Sequence, residues 1–93
     1  MLVVFYVGAL EKIASMKVRN QYFLVALGKR IRQIRKEKKL TQSQLAEKID
    51  NHDEQIGRIE RAEVNVSASM LFLIAKGLEV PLKEIFDFQF EEQ

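Results

Sequence analysis

The stretch Leu40–Glu63, LTQSQLAEKIDNHDEQIGRIERAE, decides the fold, because it holds two short helical patterns with only about three or four residues between them. The first opens at Thr41, whose hydroxyl can cap free backbone N–H groups, with Gln44 three residues on and apolar Leu45, Ala46 and Ile49 at helical intervals. A second helix of the chain is therefore expected to begin at Gln42. Ile56 and Ile59 continue the apolar stripe beyond the break, so both short helices must bury one face in a common core. Asp53, Glu54, Gly57, Arg58 and Arg61 are then expected on the outer face of helix three. An exposed, firmly mounted helix of this size fits a major groove roughly 12 Å wide.

Working outward, Phe23, Leu27, Ile31 and Ile34 recur at three and four residues and predict a first helix over Gln21–Lys38, with Lys38 and Lys39 at its negative end. On the other side, Ser67 is a candidate N-cap for a fourth helix burying Leu71, Ile74, Ala75 and Leu78 and weakened near its end by Gly77. Val80-Pro81 marks the entry to a short fifth helix carrying Leu82, Ile85 and Phe86. The expected architecture is all-α, a five-helix globule, with room for short β-strands at the two ends.

Composition narrows the class. Ninety-three residues, 47% of them apolar and one of them proline, suit one domain with a single core and little disorder. Cysteine is absent, so neither a disulfide framework nor a thiolate metal site is available. The longest apolar run, Leu2–Val7, is too short to span a bilayer and follows no basic stretch, so a soluble, cytoplasmic protein is expected. Charge is unevenly spread: Lys17–Lys39 holds nine basic residues against one acidic, whereas Leu40–Gln93 holds five basic and eleven acidic. Taken alone, such a run is as readily a solvated helix face as a phosphate-binding one. Beside two closely spaced short helices, phosphate contact is the better reading.

Taken together, these segments resemble the phage-repressor or Cro-like (XRE) helix-turn-helix family over Leu27–Phe86. The resemblance rests on five pieces in register: a basic first helix, Leu-Thr-Gln-x-x-Leu-Ala, Ile-x-x-Ile-Glu-Arg, Leu-x-x-Ile-Ala-x-x-Leu-x-Val-Pro, and Ile-Phe. It implies a structural ion pair between Arg35 and Glu60, tying helix one to the end of helix three. By position, His52, Asp53, Glu54, Gln55 and Arg58 match the family residues that meet bases or nearby phosphates. Arg58 could clamp guanine, and a carboxylate could accept from cytosine, each good bidentate contact discriminating by about 1–3 kcal/mol. For Asp53 and Glu54 the alternative is an ordinary stabilisation of the helix N-terminus, with Asn51 and Glu54 forming a capping box. Thr41, Gln42, Arg61 and Lys29 are carried over as phosphate contacts.

The chain also departs from the family. Asp50 stands where glycine is usual in the turn and Asn51 where a small apolar residue is usual; both tolerate a left-handed backbone. Ala62 replaces the glycine after helix three, and its methyl is expected to disfavour a left-handed C-cap. Val66 replaces a common proline.

The expected layout is an N-terminal extension over residues 1–18, either a strand or arm or a segment without function, the helix-turn-helix domain over 19–87 and a C-terminal tail over 88–93 that could contact a second copy. LVVFYV near the start and the alternation Phe86-Asp87-Phe88-Gln89-Phe90 both have strand character, and could pair with each other or with a second copy. Leu73 and Met70 extend a candidate dimer face. No enzyme is expected: there is one histidine, no cysteine and no phosphate loop, and consecutive His52, Asp53 and Glu54 diverge by about 100° on a helix, so neither a metal nor another cofactor is implied. The resemblance implies a sequence-specific DNA-binding regulator bound as a homodimer to a palindromic operator, with repression expected ahead of activation and activation left open. The alternative is a protein-interaction module on the same fold, antitoxin-like or coactivator-like.

Overall fold

In the computed structural model, residues 19–91 are described and form five helices: α1 Gln21–Glu37, α2 Gln42–Lys48, α3 Asp53–Glu60, α4 Ala68–Leu78 and α5 Leu82–Ile85. Expectations about residues 1–18, including a strand near the start, lie outside the described residues.

Three helices start on side-chain caps. Asn20 accepts the Phe23 N–H at 2.9 Å and Ser67 accepts the Met70 N–H at 3.1 Å. Thr41 forms a complete capping box: its hydroxyl accepts from the Gln44 N–H at 3.0 Å, and the Gln44 side chain accepts from the Thr41 N–H at 2.8 Å. α3 differs. His52 is its N-cap and makes no side-chain cap bond, and the expected Asn51–Glu54 box does not form. Asn51 Oδ1 instead accepts from the adjacent His52 N–H at 2.7 Å, and its amide faces the Met70 sulfur.

Four helices end in the same way. At α1, α2, α3 and α4 the chain turns through a left-handed residue, Lys39 (φ 59°), Asp50 (φ 54°), Ala62 (φ 59°) and Glu79 (φ 58°). After α3, the Glu63 N–H reaches the Arg58 carbonyl at 2.9 Å and the Ala62 N–H reaches that of Ile59 at 3.1 Å, a full Schellman motif. The methyl of Ala62 was expected to disfavour this motif. It is held there because its methyl is buried and its carbonyl receives Arg19 Nη2 at 2.8 Å and Gln21 Nε2 at 2.9 Å. Tertiary contacts outweigh a backbone cost of roughly 1–2 kcal/mol.

The core gathers Leu27, Ile31, Leu45, Ile56, Ile74, Leu78 and Ile85, all fully buried, from every helix. Gly77, read as a weak point of α4, is buried where α4 meets Leu45 of α2 and Ile49 at the C-cap of α2. The alternating phenylalanines after α5 form no strand among the described residues. A short Phe88 N–H to Phe86 carbonyl bond of 2.9 Å bends the chain, and the rings of Phe86, Phe88 and Phe90 gather on Phe23 with centroids 6.5, 5.6 and 5.4 Å away. The tail is thereby an aromatic cover on the first half of α1.

Candidate nucleic-acid interface

α3 is fixed to α1 at three places along its C-terminal end. Arg19 and Gln21 bind the Ala62 carbonyl. Gly28 lets the helices approach until a Cβ on it would lie 2.5 Å from the Glu60 carbonyl oxygen and 2.7 Å from that of Ile59. Arg35 and Glu60 form a buried, two-pronged ion pair, with Nε–Oε2 at 2.6 Å and Nη2–Oε1 at 2.9 Å. Arg35 Nη1 also binds the Leu40 carbonyl at 2.8 Å, and Gln42 Nε2 donates to Glu60 Oε1 at 3.1 Å. One network thus joins the end of α1, the following turn, the start of α2 and the end of α3. The Glu60 hydrogen bond, supported by its charge, holds the Arg35 guanidinium above its usual range against the opposing effect of burial.

The solvent side of α3 opens on a shallow depression lined by Gln42, Asp53, Glu54, Gly57, Arg58, Arg61 and Glu63. Glu54 and Arg58 are exposed one turn apart, and neither forms an ion pair among the described residues. Asp53 is exposed but engaged: Ser43 Oγ donates to its Oδ2 at 3.0 Å, bracing the start of α3 against α2. Gln55 turns away and lines a separate hollow with Ile59, Val64 and Met70. His52 is exposed at the N-cap. The five positions expected to meet bases are therefore not one cluster: Asp53, Glu54 and Arg58 share the depression, and Gln55 does not.

Gly57 lies on the outer face as expected, lining the depression, but is covered there. The Arg61 guanidinium folds back over it, with Nη1 2.8 Å from where a Cβ would stand, and Gln42 Oε1 lies 3.2 Å from the same point. Arg61 is half exposed and paired with Glu63. That hydrogen bond, with the charges of Arg61 and Arg58, holds the Glu63 carboxyl below its usual range despite opposing desolvation.

The basic run of α1 is divided in its duties. Arg19 caps Ala62, Arg35 holds Glu60, and Arg30 binds the Glu84 carbonyl at 2.8 Å and its carboxylate at 3.2 Å. Lys29, Arg32, Lys36, Lys38 and Lys39 stay exposed. Lys29 lines the groove beneath Phe88–Glu91, not the depression beside α3. Counting about 100° per residue from Gly28, which touches α3, Arg32 lies roughly 40° away and Lys29 roughly 100° away. On this count the exposed Arg32 lies nearer than Lys29 to the side of α1 that meets α3.

Two short helices set across a tight turn, the second held by its end and exposed along one side, define a helix-turn-helix protein. The chain belongs to the Helix-turn-helix family, whose model matches residues 31–85, and its fold is that of the phage-repressor-type transcriptional regulators rather than of enzymes. It is 43% identical over 61 residues to the immunity repressor protein of Bacillus phage phi105, a match covering 66% of this chain and 42% of that repressor's length. Among solved structures it is similar to the restriction-modification controller protein C.AhdI from Aeromonas hydrophila, at 33% identity and a TM-score of 0.66 over 68% of this chain and 96% of that one. It is likewise similar to the wild-type controller C.Esp1396I, at 38% identity and a TM-score of 0.67 over 71% and 86% of the two chains. Among the described residues, no helix is long and apolar enough to cross a membrane, and no group of three potential metal ligands occurs.

Proposed function

We propose that this chain is a cytoplasmic, sequence-specific regulator that binds duplex DNA as a homodimer on a palindromic operator and acts by repression. The observation that carries the reading is α3, whose exposed Glu54 and Arg58 project from a helix whose far end is tied to α1 by the buried Arg35–Glu60 pair. Preorganised side chains on a rigid helix are what discrimination between base edges requires. Arg58 is the strongest base reader, with Glu54 beside it. Asp53 serves chiefly to brace α3 through Ser43, and Gln55 and His52 lie at its margins. Thr41, Gln42 and Arg61 serve in this reading as phosphate contacts, Gln42 and Arg61 from the lining of the depression, with Arg32, nearer than Lys29 to the side of α1 that meets α3, as the flanking one.

Dimerisation would set two copies of α3 about 34 Å apart, one turn of duplex. Tyr22, Val25, Leu82, Phe86 and Phe90 are exposed around the aromatic cover and supply apolar surface for a second copy, whereas Met70 is turned toward the core. A second reading, capture of a protein partner, is favoured by one feature: Asp53, Glu54 and Glu63 place three carboxylates in the depression.

Selection of binding sites from a random duplex library, at low and physiological salt and with the oligomeric state measured in parallel, separates the two. A two-fold symmetric consensus whose affinity falls steeply with salt supports DNA recognition. A folded protein that enriches no sequence at either salt overturns it and favours the protein-partner reading.

A further inference from the structure

Arg61 borders the C-terminal end of the depression, yet its guanidinium points back along its own helix. Three features hold it so: Gly57 leaves a berth with no side chain, Gln42 stands beside the berth, and Glu63 pairs with the guanidinium two residues on. Glu63 also borders the depression that Arg58 shares. A carboxylate paired with an arginine occupies the same fork of N–H groups that a phosphate oxygen would take.

We propose that Glu63 is an internal competitor for phosphate, stowing Arg61 over Gly57 so that it joins the DNA backbone only when a phosphate displaces the carboxylate. The proposal rests on the DNA-binding reading and adds an affinity-setting residue to it. Both partners are about half exposed, at 58% for the Arg61 side chain and 49% for that of Glu63, so exchange needs no rearrangement of the core. The pair is therefore not needed for the fold: exposed ion pairs stabilise little. Its effect falls on every sequence alike, because a phosphate contact carries no base information.

The test is Glu63→Gln, measured by fluorescence anisotropy against a short random duplex and against the selected site over a salt series. Each protomer that gains one phosphate contact steepens the log K against log salt slope by about 0.9 and tightens low-salt binding roughly 3–10-fold on both duplexes. Melting stays at the wild-type temperature. In an Arg61→Gln background, Glu63→Gln should have less than about twofold effect, since the coupling is between these two residues. Unchanged affinity and slope for E63Q, with wild-type binding intact, overturns the assignment while leaving the DNA reading in place. Weakening at the selected site alone also overturns it and makes Glu63 a base reader. The same gain in both backgrounds overturns it in favour of a general charge effect, and binding by neither protein overturns the DNA reading and this one together.

Discussion

Replacing the left-handed residues by glycine should raise stability at Lys39 and Glu79 but not at Ala62, although the φ angles at these three positions differ by only one degree. A side chain in this backbone region costs roughly 1–2 kcal/mol, whereas glycine adopts it freely but enters the unfolded state with more entropy to lose, about 0.5–1 kcal/mol. Lys39 and Glu79 are exposed, so little else changes, and each replacement should stabilise by about 0.5–1 kcal/mol. Ala62 is 3% exposed, and its methyl contributes about 0.8 kcal/mol by burial, so Ala62→Gly should come out near zero. Asp50 falls between, because aspartate tolerates this backbone better than most residues. For a domain of this size, Lys39→Gly with Glu79→Gly should raise Tm by roughly 5–12 °C. The assay is thermal unfolding by circular dichroism, backed by urea titration at constant m-value. A fall in Tm for either exposed variant, or a gain at Ala62 equal to the gain at Lys39, would refute the argument.

The ion pair gives a second test: Glu60→Ala should destabilise by about 3–5 kcal/mol, because Arg35 is left charged and buried, and Arg35→Met added to it should recover part of the loss. Wild-type stability for Glu60→Ala in urea titration would show that the pair holds nothing. Gly28→Ala should cost about 1–3 kcal/mol despite the better helix propensity of alanine, since its Cβ meets backbone oxygens that can move only if α1 and α3 part. A more stable Gly28→Ala variant would exclude so close a crossing. On DNA, Arg58→Ala should lose about 1–3 kcal/mol at one base position, while Arg32→Ala weakens all duplexes alike and Lys29→Ala changes little. Equal losses for Arg58→Ala on selected and random duplexes would remove it from base reading.

Much of this fold was legible because its signals are local. Thr41 with Gln44, Ser67 with its apolar spacing, and the stripe through Leu27, Ile31 and Ile34 each lie within a few residues of what they determine. The Arg35–Glu60 pair spans 25 positions and was reached only through family resemblance. The misread positions are those where a distant group decides. Ala62 is unfavourable by propensity, but Arg19 and Gln21, more than forty residues earlier, hold its carbonyl. The Phe86–Phe90 alternation has the period of a strand, but Phe23 supplies the partner that the period cannot reveal. Of the candidate site, helical spacing made the exposure of Glu54 and Arg58 legible, whereas a charge run does not say that Lys29 lines the groove beneath Phe88–Glu91 and not the depression beside α3.

The two ends of α3 are held with unequal strength, and this bears on how the site can discriminate. Its C-terminal end is tied by a buried, bidentate ion pair whose disruption costs about 3–5 kcal/mol, together with two side-chain bonds to the Ala62 carbonyl. Its N-terminal end has no side-chain cap; Ile56 anchors it in the core, and among the described residues its side-chain hydrogen bond to α2 is the exposed Ser43–Asp53 one, worth about 1 kcal/mol. Arg58 lies two residues from Glu60, within the firmly held turn, while Glu54 lies in the loosely held one. Geometric precision converts a hydrogen bond into discrimination, because a wrong base is rejected only if the side chain cannot shift to meet it. The selected consensus should accordingly be sharp opposite Arg58 and broad opposite Glu54. Replacing Ser43 by alanine should broaden only the second position, since it loosens the end of α3 that carries Glu54 and leaves the Arg35–Glu60 anchor untouched.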